Sequence, residues 1–126
     1  MYTKSRAHQV REMLENGMEI GAHTHTHQIL SMLDEQTQLH EIAKSKSVLE
    51  SELGTEINIF SYPVGSNHTF TVSTKQILKD TGFELGFKFV SGINRDIQSD
   101  SYELFRFSIG EHQNTPSKIK DCIVFA

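Results

Sequence analysis

Apolar positions recur along this chain first at helical spacing and then as short β-rich runs, and the two patterns alternate. Val10, Met13 and Leu14 stand at i, i+3 and i+4 with Gly17 as a stop, which predicts a helix over 8–16. Met18-Glu19-Ile20-Gly21-Ala22 predicts a short strand running into a cluster of histidines. Residues 29–33 read as an irregular turn with apolar anchors. Asp34 is suited to cap a long helix over 37–53, whose Leu39, Ile42, Val48, Leu49 and Leu53 fall mostly on one face before Gly54 ends it. A β-rich run over 57–62 stops at Pro63, and 64–68 is loop. A third helix starts at Thr71 or Ser73, runs to Lys79 and closes at Thr81-Gly82. Strands are expected over 84–90 and 104–109, with a polar loop between them, and a short terminal helix over 116–123.

This order argues for an α/β fold with a largely parallel sheet and crossover helices. In such folds ligands gather at the carboxyl ends of the strands. The histidine cluster and Ser61-Tyr62-Pro63-Val64-Gly65 follow successive strands, so both are expected at one pocket.

Composition narrows the function. The 126 residues carry 12 Lys+Arg against 16 Asp+Glu, a formal charge of −4, and form a single domain by length. That balance leaves no basic stripe for phosphates and argues against a nucleic-acid partner. No apolar run approaches the roughly 18 residues of a membrane span. The first residues, Met1 to Arg6, have no apolar stretch of the kind a signal peptide needs. The single cysteine, Cys122, excludes an internal disulfide and a CxxC zinc site. Its Ile-Val-Phe surroundings make it a packed thiol rather than a nucleophile. Phosphate loops and a Gly-x-Ser-x-Gly elbow are missing.

Seven histidines remain, three of them in Gly21-Ala22-His23-Thr24-His25-Thr26-His27. Neutral imidazoles are zinc ligands, completed by carboxylate or water. If the backbone turns after the strand, His23 and His27 converge on one ion and His25 points elsewhere. If it stays extended, His23, His25 and His27 share one face. The plain alternative is a polar loop of solvated histidines. His8 and His40 lie on predicted helices and read as surface residues.

Glu19-Ile20-Gly21-Ala22-His23-Thr24-His25-Thr26-His27 resembles the second motif of the polysaccharide deacetylases (NodB-homology, carbohydrate esterase family 4). Phe60-Ser61-Tyr62-Pro63-Val64-Gly65 is similar to the third motif. Ile77 to Phe83 and Tyr102 to Phe107 match later segments, in order, from about Gln9 to Ile109. The resemblance implies a partial, open (β/α) barrel and hydrolysis of acetyl groups on a polysaccharide or oligosaccharide at Zn2+ or another divalent metal. It implies His23 and His27 as metal ligands, with His25 as a possible third. By the same resemblance Thr24 would orient the loop by hydrogen bonding, and the Val64 backbone N–H would support the oxyanion. Tyr62, Pro63 and His68 are expected to line the substrate site, with Tyr62 and Phe70 available to stack on sugar rings.

The pattern also departs from that family. Its Asp-Asp motif, source of the base and the third ligand, has no counterpart, and only 22 residues precede His23. One partial domain over 1–126, lacking the N-terminal strands, is therefore expected, and with it weak or no activity. A non-catalytic zinc- or glycan-binding remnant is the alternative. Ser61 stands in place of the third-motif arginine. Arg106, whose fork suits a carboxylate, is the candidate to take over that role, against an ordinary surface ion pair. Val64 replaces an aromatic, and His112 comes nearest to the late histidine motif. An incomplete barrel leaves an open sheet edge, so the chain is expected to form a homo-oligomer through it. Light scattering checks this: a dimer or larger species is the expected outcome, and a clean monomer counts against it.

Overall fold

The computed structural model describes residues 6–107. Its elements are α1 (Ala7–Glu15), a 3-10 turn (Leu30–Met32), α2 (Glu35–Leu53), β1 (Ile59–Ser61), α3 (Val72–Asp80) and β2 (Leu85–Phe87). The expected helix over 116–123, His112 and Cys122 lie outside the described residues.

Local chemistry sets the helix ends. The Asp34 carboxylate accepts the Thr37 N–H at 2.7 Å, so α2 begins two residues earlier than its apolar pattern suggested. Gly54 closes α2 in the left-handed conformation, φ 67°, which glycine adopts without a Cβ clash. Thr71 and Thr74 form a reciprocal capping box at the start of α3.

β1 and β2 pair in parallel, with Phe60 opposite Gly86. Ala22 bridges in parallel to Phe60 on one side, and Leu104 bridges in parallel to Phe87 on the other. Four chain segments thus lie side by side in sequence order and all point the same way. The expected strands are shorter than the sequence indicated. The 18–22 run contributes one bridge at Ala22 and the 84–90 run only three residues; of the 104–109 run, the described residues 104–107 contribute a bridge at Leu104. The 18–22 run has a neighbour on one side only among the described residues, and a parallel ladder extends only where two backbones stay in register.

The core lies between this sheet and α2 and α3. Phe60 is completely buried and meets Tyr62 and Phe83 edge-on, at centroid distances of 5.6 and 5.3 Å. Ile42, Leu49 and Leu53 of α2 and Leu78 of α3 close over it. Leu39, expected on the same face, is exposed, whereas Gln38, Glu41 and Ser45 are buried. Gln38 is satisfied there: its amide donates to the Leu33 carbonyl and its oxygen accepts the Thr74 hydroxyl. No helix among the described residues is long and apolar enough to cross a membrane.

Leu78→Ala removes a fully buried side chain and is expected to cost about 2–5 kcal/mol. Val72→Ala, in the same helix but 80% exposed, should change stability by less than about 0.5 kcal/mol. Urea unfolding of both variants checks the difference.

Candidate metal centre at the strand ends

Because the four segments run parallel, the residues that follow them collect at one edge of the sheet. These are His23 after Ala22, Tyr62 to Gly65 after β1, Lys88 and Phe89 after β2, and Arg106 after Leu104. Ala22 is held to β1 through its N–H on the Ile59 carbonyl at 2.8 Å and its own carbonyl on the Ser61 N–H at 2.9 Å. His23 therefore emerges beside Ser61, whose carbonyl lies 2.7 Å from its Nδ1. This contact assigns the proton to Nδ1 and leaves Nε2 as a free lone pair.

The chain does not stay extended after His23. Thr24 has φ 64° and His27 φ 59°, both in the left-handed region, and the segment turns back on itself. Of the two geometries open to the sequence, this is the turned one, and it brings the His23 and His27 rings to 4.9 Å between centroids. Two imidazoles sharing a tetrahedral zinc, with Zn–N near 2.0 Å, stand about 5 Å apart between ring centres. The spacing therefore fits a shared divalent ion. The Thr24 hydroxyl, expected to orient the loop by hydrogen bonding, is buried and has no hydrogen-bond partner among the described residues. Two histidines are half a coordination shell. No group of three or more His, Cys, Asp or Glu side chains that could hold a metal occurs among the described residues. His25 is pinned by its backbone N–H to Glu41 of α2.

The electrostatics keep His23 neutral at pH 7, the state a ligand needs. Loss of hydration is the largest influence and lowers its pKa; the Ser61 carbonyl opposes this, while His27 and Arg106 add to the lowering. A cavity of about 370 Å³ opens beside the cluster, walled by Val10, Met13, Ile20 and Val48 together with the histidines.

Val64 is the third non-glycine residue in the left-handed region, φ 63°. It is a β-branched residue there, a conformation that costs about 1–3 kcal/mol and persists only where its surroundings impose it. Gly65 beside it supplies the constraint. The Phe89 N–H donates to the Gly65 carbonyl at 2.7 Å, and a Cβ on Gly65 would stand 2.7 Å from the Phe89 backbone nitrogen. The Val64 N–H finds no backbone or side-chain acceptor among the described residues, and its side chain is exposed.

Arg106 lies with its guanidinium 5.0 Å from the centre of the Phe89 ring, and its buried Nε has no partner among the described residues. Burial lowers its pKa, yet a guanidinium stays charged. Among the described residues it makes no ion pair.

Of the residues expected to meet substrate or sugar rings, Tyr62, Pro63 and Phe70 lie in the core. Tyr62 and Pro63 are fully buried, so neither side chain offers a surface to a substrate. Tyr62 stacks on Phe70 at 4.0 Å and 12°, and its hydroxyl donates to the Tyr102 carbonyl at 2.7 Å. Burial pushes the phenol pKa up, so it remains a donor. Phe70 is buried by the same stack and is likewise no sugar platform. Phe89, which the sequence reading placed within a strand, is an exposed aromatic at this edge. His68 is exposed; its carbonyl accepts the Ser31 hydroxyl, and its ring makes no hydrogen bond among the described residues.

A family model described as "Polysaccharide deacetylase" matches residues 1–86. The chain belongs to the polysaccharide deacetylase family. The putative polysaccharide deacetylase YxkH of Bacillus subtilis (strain 168) is 33% identical over 78 residues, covering 62% of this chain and 27% of that protein. The Streptococcus pyogenes deacetylase PplD, solved in complex with acetate, superposes with a TM-score of 0.81 at 25% identity, over 92% of this chain and 49% of that one. IcaB from Ammonifex degensii gives a TM-score of 0.69 at 25% identity, over 85% of this chain and 48% of that one. The chain thus spans about half the length of the solved deacetylases it superposes on. The mixed helix and strand arrangement described above is that of the deacetylase fold.

Gly65→Ala is expected to displace the Val64 turn, because the new Cβ meets the backbone nitrogen and the rigid Cβ of Phe89, both at 2.7 Å, rather than the far end of a flexible side chain. Amide shifts spreading from Val64 to Phe89, with a lowered melting temperature, are the outcome that checks it.

Proposed function

We propose that this chain carries the histidine half of a metal-dependent centre that removes acetyl groups from a polysaccharide. The observation that carries the reading is the convergence of His23 and His27 at 4.9 Å, with His23 Nδ1 tied to Ser61 and its other nitrogen free. The family and the solved deacetylases of like fold support the same reaction class. His23 and His27 would hold the metal, with His25 outside the pair. A divalent zinc ion there would supply a Lewis acid and would lower the pKa of its water.

The remaining roles belong to the chain itself. The free Val64 N–H, fixed by the left-handed turn, is placed to donate to the oxygen that gains charge when an acetyl carbonyl is attacked. The Arg106 Nε, without a partner among the described residues, is suited to hold a carboxylate, and its stack on Phe89 fixes the direction of the fork. Exposed Phe89 takes the place of Tyr62 as the aromatic wall for substrate.

No Asp-Asp pair occurs in the sequence to serve as base and third ligand. A partial, open barrel is the architecture that follows, and the outer side of the Gly21–His23 backbone is the edge through which further strands or a second copy would pair. By itself the chain is expected to take up zinc and to release little acetate.

Calorimetric titration with zinc, and acetate release from acetylated chito-oligosaccharides and acetylated xylan, test this. The expected result is one zinc per chain, abolished by His23→Ala and His27→Ala. Acetate release should rise at least a hundredfold in a longer protein carrying an upstream Asp-Asp strand. Zinc uptake that survives both histidine substitutions would refute the assignment of the centre. Zinc uptake without acetate release from the longer protein would leave a zinc-binding, non-catalytic domain.

A further inference from the structure

We propose that Glu41 is the positioning residue of this centre: its carboxylate, carried in by α2, holds the peptide between His23 and His27 in the turn that makes the two imidazoles converge. The inference rests on the metal reading above and deepens it.

Glu41 is only 6% exposed, on a helix face otherwise lined by Ile42, Ser45 and Leu49. A buried carboxylate is costly unless its oxygens are satisfied, and both of these are. Oε2 accepts the His25 N–H at 2.9 Å and the Thr26 N–H at 2.8 Å. Oε1 accepts the Thr26 hydroxyl at 2.7 Å. The Glu41 backbone carbonyl lies 3.1 Å from the same His25 nitrogen. Every one of these bonds ends on the two residues that separate the left-handed Thr24 from the left-handed His27.

That placement answers a specific need. A loop with two non-glycine residues at positive φ resists its own geometry, and its amides have no helix or ladder to bond to. Released, it relaxes toward extended backbone, where His23 and His27 still share a face but a rise of roughly 3.3 Å per residue over four residues draws them about 13 Å apart. The carboxylate offers the two adjacent N–H groups one acceptor, with charge-assisted strength. α2 is anchored by its Asp34 cap and its core contacts, so the acceptor sits on a rigid element.

Zinc titration of the 126-residue chain and its variants, with thermal unfolding of each, tests the assignment. Glu41→Ala removes the acceptor and should weaken zinc binding by ten- to a hundredfold, the range of an outer-shell partner. Glu41→Gln keeps an acceptor for both N–H groups and should restore most of that loss. Glu50→Ala is the control: on the same helix it removes the acceptor of the Ile57 N–H, remote from the histidines. It should lower the melting temperature and leave zinc affinity unchanged. A purely structural Glu41 would behave as Glu50 does, and that result overturns the proposal. Should Glu41→Ala fail to fold, Thr26→Ala at an exposed position removes the Oε1 bond alone, and a several-fold loss of zinc affinity is expected. Unchanged affinity there overturns the proposal equally. Absence of zinc uptake by the unaltered chain instead overturns the metal reading, and this inference with it.

Discussion

The two hydrogen bonds between Ala22 and β1 set the position of everything at the candidate centre. They align the segment before the histidines with the central strand, at 2.8 and 2.9 Å, and give it the same direction. His23 then leaves the sheet beside Ser61, and its Nδ1 meets a carbonyl that the pairing itself has placed there. Parallel pairing does the rest. β2 and Leu104 follow in the same sense, so the turns after each segment open on the same side. Residues separated by more than 80 positions, His23 and Arg106, become electrostatic neighbours for that reason.

Strain is concentrated at this edge. Thr24, His27 and Val64 are the non-glycine residues with positive φ among those described, and all three belong to the two loops of the centre. Backbone held in such a conformation needs over-determination by its surroundings. For the histidine loop that comes from the Glu41 carboxylate of α2. For the Val64 turn it comes from the close backbone contact of Gly65 with Phe89. Helix and strand neighbours, rather than the loops themselves, hold the geometry of the candidate centre.

A charged network steadies the far side of the sheet. Lys75 of α3 bridges Asp100 at 2.9 Å and Glu103 at 2.7 Å, and Lys88 approaches Glu103 at 3.7 Å while its ammonium lies over the Phe105 ring. Hydrogen bonding to Glu103 is the largest influence on Lys75 and raises its pKa, so the bridge stays charged at neutral pH. The turn it anchors delivers Leu104 to β2 and Arg106 to Phe89. Exposed ion pairs contribute little to stability. These are partly buried and joined to one another, and their consequence is the position of Arg106.

The helices were legible in the sequence because their signals are local. Asp34 before α2, Gly54 after it and Thr71 before α3 act on backbone groups three or four residues away, and a pattern of apolar positions states the face that must be buried. The histidine cluster was legible for the same reason: the residue types and their spacing are contiguous. What sequence alone left open was decided by contacts between distant segments. Whether the chain turned or ran straight after His23 depended on a carboxylate fourteen positions beyond His27, one of three polar residues on a helix face read as apolar. Whether Tyr62 met substrate or core depended on Phe70, Tyr102 and the sheet behind it. Strand lengths depended on which neighbours each run found. Hydrogen bonds within one turn of a helix are written in adjacent residues. A buried carboxylate, a stacked ring and a bridged strand are written only in the way the chain folds back upon itself.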